Sequence, residues 1–98
     1  MSTVTVRTVP EITVAARSIQ VAARANSTVA AALHALWCAG RLGAVPAAAP
    51  MTEVELRAAA AVEDDAAAAS ARQDTEAAHR AAAQAYRWVL GEAELPTS

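Results

Sequence analysis

The sequence predicts a mainly α protein, a helical hairpin or a small three-helix arrangement that carries one long alanine-rich helix over about 52–91. Two observations predict it. No proline or glycine occurs from Thr52 to Leu90, and alanine, the strongest helix former, is abundant there. The turn-forming residues Gly40, Gly43, Pro46 and Pro50 gather instead in the middle of the chain and divide it into two helical halves. The 98 residues make a single domain. With no Phe, one Tyr and two Trp, its core must be built largely from alanine. Burial stabilises by about 25 cal/mol per Å² and alanine offers little area, so a homodimer, or docking on a larger protein, is expected.

Residues 1–7 alternate β-branched and polar side chains from Ser2 to Arg7, which reads as a short strand or an extended arm. Thr8 and Glu11 have the spacing of a capping box, and Pro10 falls in the first turn, where its missing N–H costs nothing. Residues 9–40 are helical, with Ile12, Ala16, Ile19 and Ala23 at helical spacing. Asn26 and Ser27 are cap formers inside this stretch. A kink or short break there is favoured over one continuous helix. Gly40 is expected to stop the helix, and residues 41–51 form a stiff Pro/Ala linker.

Thr52 and Glu55 repeat the capping-box spacing and open the long helix. Unbroken, it would reach roughly 60 Å at about 1.5 Å per residue. That length calls for an equally long partner, and residues 9–39 are expected to pack antiparallel along it. Three successive acids, Glu63, Asp64 and Asp65, wrap around the helix, so one should point inward and a break near Asp64–Asp65 is conceivable. Tyr86, Trp88, Val89 and Leu90 form the bulky cluster of the C-terminal half, expected to be core. Residues 92–98 form a polar tail, expected to be loose.

Charge is uneven. Residues 1–43 carry Arg7, Arg17, Arg24 and Arg41 against Glu11 alone, while the remainder is acidic. A basic front and an acidic back suit nucleic-acid contact, or head-to-tail contact between subunits. The single Cys38 leaves no internal disulfide. No signal-type segment and no run of about 18 apolar residues is visible, so a cytoplasmic protein without membrane contact is expected.

Little chemistry is suggested. His34 and Cys38 lie one helical turn apart, but zinc wants three or four ligands, and no CxxC or HxxxH occurs. A lone Cys and His on one helix lack the orienting group and oxyanion donors of a catalytic site. Neither an enzyme, a metal site nor a cofactor is expected.

Ser27-Thr28-Val29, followed by Leu33, Leu36, Gly40 and Leu42, resembles the recognition helix and turn of winged helix-turn-helix regulators over residues 27–42. The resemblance implies DNA binding, with Arg24, Ser27 and Arg41 on phosphates and residues 52–91 as a dimerisation helix. The chain departs from that pattern at Ala30, Ala31 and Ala32, where base-reading side chains would stand. A fainter resemblance links Trp37-Cys38-Ala39-Gly40 and Tyr86 to the small WxG helical hairpins, although that motif has one residue too many here. The leading expectation is a non-catalytic interaction or assembly protein that works by helix–helix binding. Leu33, Leu36, Trp37, Trp88 and Leu90 are its anchors, since bulky residues dominate such contacts. Its partner is itself or a larger protein, and the DNA-binding regulator is the alternative.

Overall fold

The computed structural model describes residues 6–96. It contains four helices, α1 (Val9–Ala25), α2 (Ser27–Gly40), α3 (Glu53–Ala69) and α4 (Gln73–Val89), and no strand among the described residues. Of the stretch expected as a strand or arm, residues 1–5 lie outside the described part, and Val6 and Arg7 take no regular structure.

Both capping boxes form. The Thr8 N–H donates to Glu11 Oε1 (3.1 Å) and the Glu11 N–H to Thr8 Oγ1 (3.4 Å). Thr52 and Glu55 repeat the exchange at 3.0 and 3.2 Å. These bonds hold the Glu11 and Glu55 carboxyls below the usual carboxylate range, with the threonine backbone N–H as the largest cause. Asn26 makes the break between α1 and α2. Its backbone is extended (φ −137°, ψ 110°), and its Oδ1 accepts from the N–H groups of Thr28 (2.9 Å) and Val29 (3.3 Å). One residue therefore ends α1 and caps α2.

Helix α2 ends at Gly40, as expected, but the glycine is not itself the left-handed turn. It is the last helical residue of α2, and the left-handed turn falls on Arg41 (φ 49°). The glycine leaves room for a close approach of two side chains. A Cβ there would lie 2.9 Å from Leu42 Cδ2 and 3.2 Å from Ile12 Cγ2.

The expected single helix over 52–91 is two helices. The longest dimension of the fold is 35 Å, well short of an unbroken span. The break lies at Ser70–Arg72, beyond the acidic triplet. Ser70 turns extended (ψ 131°), and its hydroxyl donates to the Ala66 carbonyl at 2.9 Å. Such back-bonding offers the chain an alternative to the helical ladder. Helix α3 runs straight through Glu63–Asp65 because two of the three acids find partners on α4. Glu63 meets His79 Nδ1 at 2.7 Å, Asp64 accepts from both terminal guanidinium nitrogens of Arg87, and Asp65 faces outward. The Arg87 hydrogen bond holds the Asp64 carboxyl low.

Arg57, early in α3, meets Glu92 just past the end of α4, whereas Glu63, late in α3, meets His79 in the first half of α4, so these helices are antiparallel. Helices α1 and α2 are antiparallel too, since Ile12 reaches Gly40 across the Asn26 corner. The inner pair is different. Thr28 shares a hollow with Ala77 and Ala81, whereas Cys38 neighbours Tyr86, so α2 and α4 run in the same sense. The expected antiparallel packing along the C-terminal half does not hold: α2 runs parallel to α4, and α1 packs on α2 and meets only the end of α4, near Trp88.

Helices α2 and α4 carry most of the core, burying Val29, Ala32, Ala35, Leu36 and Ala39 from α2 and Ala81, Ala82, Ala85, Tyr86 and Val89 from α4. Ile12 and Ile19 from α1, and Leu56 and Ala60 from α3, close the two sides. The tail is not loose through Pro96. The Glu92 N–H donates to the Arg87 carbonyl, Gln84 Nε2 donates to the Glu94 carbonyl at 2.7 Å, and Pro96 is buried. At the other end the Arg7 N–H donates to the Val89 carbonyl (2.8 Å), and its guanidinium lies 4.3 Å from the centre of the Trp88 ring.

Asn26→Ala removes the cap at the α1–α2 corner. It is expected to cost about 1 kcal/mol and to lower Tm by about 4–8 °C in a thermal melt.

Candidate interaction surface

Helix α1 buries Ile12, Ala15, Ala16 and Ile19, so at 3.6 residues per turn its opposite face carries Val14, Arg17, Ser18, Val21 and Arg24. Val14 and Val21 are 66% and 74% exposed, although both are β-branched and apolar. A hollow of about 500 Å³ lies on one side of this stripe, lined by Pro10, Val14, Ala15, Trp88 and Leu95. A second, of about 280 Å³, lies on the other side, between Ala16, Arg17 and Gln20 of α1 and Trp37 and Leu42. Each hollow therefore has one of the two tryptophans in its wall.

The five residues expected as anchors divide. Leu36 and Leu90 are fully buried and hold the fold itself, so they present no surface. Leu33 is partly buried against the core. Trp88 is half-buried under the Arg7 guanidinium. Trp37 alone is open, at 47%, and its ring lies over the Gly43 turn. The periodicity of α2 decides this. Val29, Ala32, Ala35, Leu36 and Ala39 share the buried face, and at about 100° per residue Trp37 falls beyond its edge. The valine stripe was missed because α1 was read for its buried face. Val14 and Val21, seven apart and opposite Ile12 and Ile19, were its signal.

The charged candidates also divide. Arg41 is engaged, donating to Glu55 Oε2 (3.0 Å) and to the Ala49 carbonyl (3.2 Å). Ser27 is exposed in the first turn of α2. Arg24 is exposed and makes no ion pair among the described residues. The same is true of Arg17, whereas the other six arginines each pair with an acid.

Cys38 Sγ lies 3.8 Å from both ring nitrogens of His34, while His79 is taken by Glu63. No group of three His, Cys, Asp or Glu side chains is close enough to hold a metal among the described residues. Cys38 instead borders the Tyr86 hydroxyl, which burial, with a smaller contribution from the thiol, pushes up to about 12.

Tyr86 is the one tyrosine, so an absorbance titration reads it alone. Its folded pKa is raised above the free value of about 10. The corresponding stability is full below that value and is lost as pH rises toward 12. Tyrosinate absorbance is expected to appear about two pH units late, or to jump with alkaline unfolding. Gly43→Ala would place a methyl 2.9 Å from Trp37 Cζ3 at a residue with φ +77°. It is expected to cost about 1–2 kcal/mol and, in a Trp88→Phe background, to red-shift the Trp37 fluorescence.

No helix among the described residues is long and apolar enough to cross a membrane. In comparisons with known proteins, the chain matches no family model, no curated protein and no solved structure.

Proposed function

We propose that this chain is a small non-catalytic interaction protein that docks a helix, from a second copy or from a larger protein, on the outer face of α1. The observation that carries the reading is the exposed Val14–Val21 stripe, flanked on both sides by tryptophan-walled hollows. A helix laid along such a stripe removes the valines from water, at about 25 cal/mol per Å². Trp37 and Trp88 stand where bulky side chains of a partner would seat, as anchors do in helix-in-groove contacts.

Arg17 and Arg24 favour one competing reading, a nucleic-acid-binding regulator, because two unpaired cations on one face suit phosphates. Against it stand the pairing of Arg41 with Glu55 and the central place of α2, which leaves few of its side chains open. Phosphate contact predicts binding to duplex DNA that falls steeply with salt and weakens in Arg24→Ala.

The test is site-specific photo-crosslinking in the host cell, with the reactive side chain placed at Ser18, between the two valines. Discrete protein adducts are expected from position 18 and not from position 75 at the exposed start of α4. Val14→Asp should remove them without changing the circular dichroism spectrum. A protein that yields no adduct from position 18 does not use this face.

A further inference from the structure

The ion pairs of the fold leave few charges over. Among the described residues Arg17 and Arg24 are the arginines without an acid, and both lie beside the valine stripe of α1. Two acids, Asp65 and Glu94, are likewise without a basic partner. Glu94 belongs to the C-terminal segment. Asp65 lies on the outer face of α3, opposite the buried Leu56, Ala60 and Ala67. That face carries Val54 and Val62, 78% and 65% exposed, with Ala58 and Ala61 between them. The protein thus has two unpartnered apolar helix faces, one with surplus positive charge and one with surplus negative charge.

Their spacings agree. Val14, Val21 and Arg24 follow one another along α1 as Val54, Val62 and Asp65 do along α3. At about 1.5 Å per residue the first set spans about 15 Å and the second about 16 Å. Direction agrees as well. Helix α1 is antiparallel to α2, α2 runs with α4, and α4 is antiparallel to α3, so α1 and α3 point the same way. A second copy displaced without reversal therefore lays its α1 parallel to the first copy's α3. Reversing the pair would bring Asp65 to the level of Glu11, a like charge.

We infer that the chain associates with itself head to tail, the outer face of α3 on one copy docking in parallel on the outer face of α1 on the next. In this register Val54 meets Val14, Val62 meets Val21, and Asp65 lies beside Arg24. The inference rests on the interaction reading and names its partner as a second copy. The contact is heterologous, so each copy keeps one face open for another. One helix face buries less than the about 800 Å² per partner of a standard stable interface, so association is weak and depends on concentration.

Sedimentation velocity on the full chain, from micromolar to millimolar concentration at low salt, tests it. The wild type is expected to form dimers and larger species in a graded series. Val21→Asp and Val62→Asp each change an exposed side chain and keep the fold, as circular dichroism would check. Each should be monomeric alone, because each has lost one of the two faces. Mixed, they retain one complementary pair of faces, so they should form a one-to-one dimer and nothing larger. Arg24→Asp and Asp65→Arg should each weaken wild-type association about fivefold, and the double exchange should restore it. A wild type that stays monomeric overturns the inference, as does association that survives either valine variant or a mixture that fails to dimerise. Adducts to a different protein from position 18, with a monomeric wild type, would remove self-docking and leave the interaction reading standing.

Discussion

Alanine at the contact between α2 and α4 sets the distance at which every other part of this fold must sit. Ala32, Ala35 and Ala39 of α2 and Ala81, Ala82 and Ala85 of α4 are buried in one core, and side chains this short give useful dispersion only when two helix backbones come close. Bulk is supplied at a few points, by Ile12, Ile19, Leu36, Leu56, Val89 and Leu90. Close approach recurs at Gly40, whose missing Cβ lets Ile12 and Leu42 reach the end of α2. Short helices that turn back repeatedly give each alanine several neighbours, which one long rod could not do.

That requirement explains what the sequence did and did not disclose. Thr8–Glu11 and Thr52–Glu55 were legible because a capping box is a local exchange of two hydrogen bonds. Asn26 was legible as a cap for the same reason. The break at Ser70 was not, because neither glycine nor proline marks it and the alanines on both sides favour a helix that simply continues. There, tertiary packing overrides propensity. Gly40 was legible as the end of α2 but not as a point of close approach, which only its neighbours Ile12 and Leu42 reveal. The candidate surface was legible only as a pair of exposed valines. Nothing local distinguishes Val14, which faces water, from Ile12, which does not, until the orientation of α1 is known.

Charge follows the same economy. Glu63 and Asp64 are spent within the fold on His79 and Arg87 and fasten α3 to α4, and Arg57 joins α3 to the C-terminal segment through Glu92. These pairs are solvent-accessible and individually weak, so they orient the helices more than they stabilise them. Their near completeness gives meaning to the exceptions. Apart from Glu94 in the C-terminal segment, the acids and arginines without ion-pair partners among the described residues lie on α1 and α3, where another molecule can reach them.

The connectivity has a consequence for how the chain finds this arrangement. Helix α1 packs on its sequence neighbour α2, and α3 on its neighbour α4, so both pairs close over short loops. Among the helix pairs, the joint between α2 and α4 is the one that brings together segments separated by the linker and all of α3, and Arg7 adds a bridge to the end of α4. Local closure costs little chain entropy, so most of the loop-closure cost of this fold falls on the joint between α2 and α4.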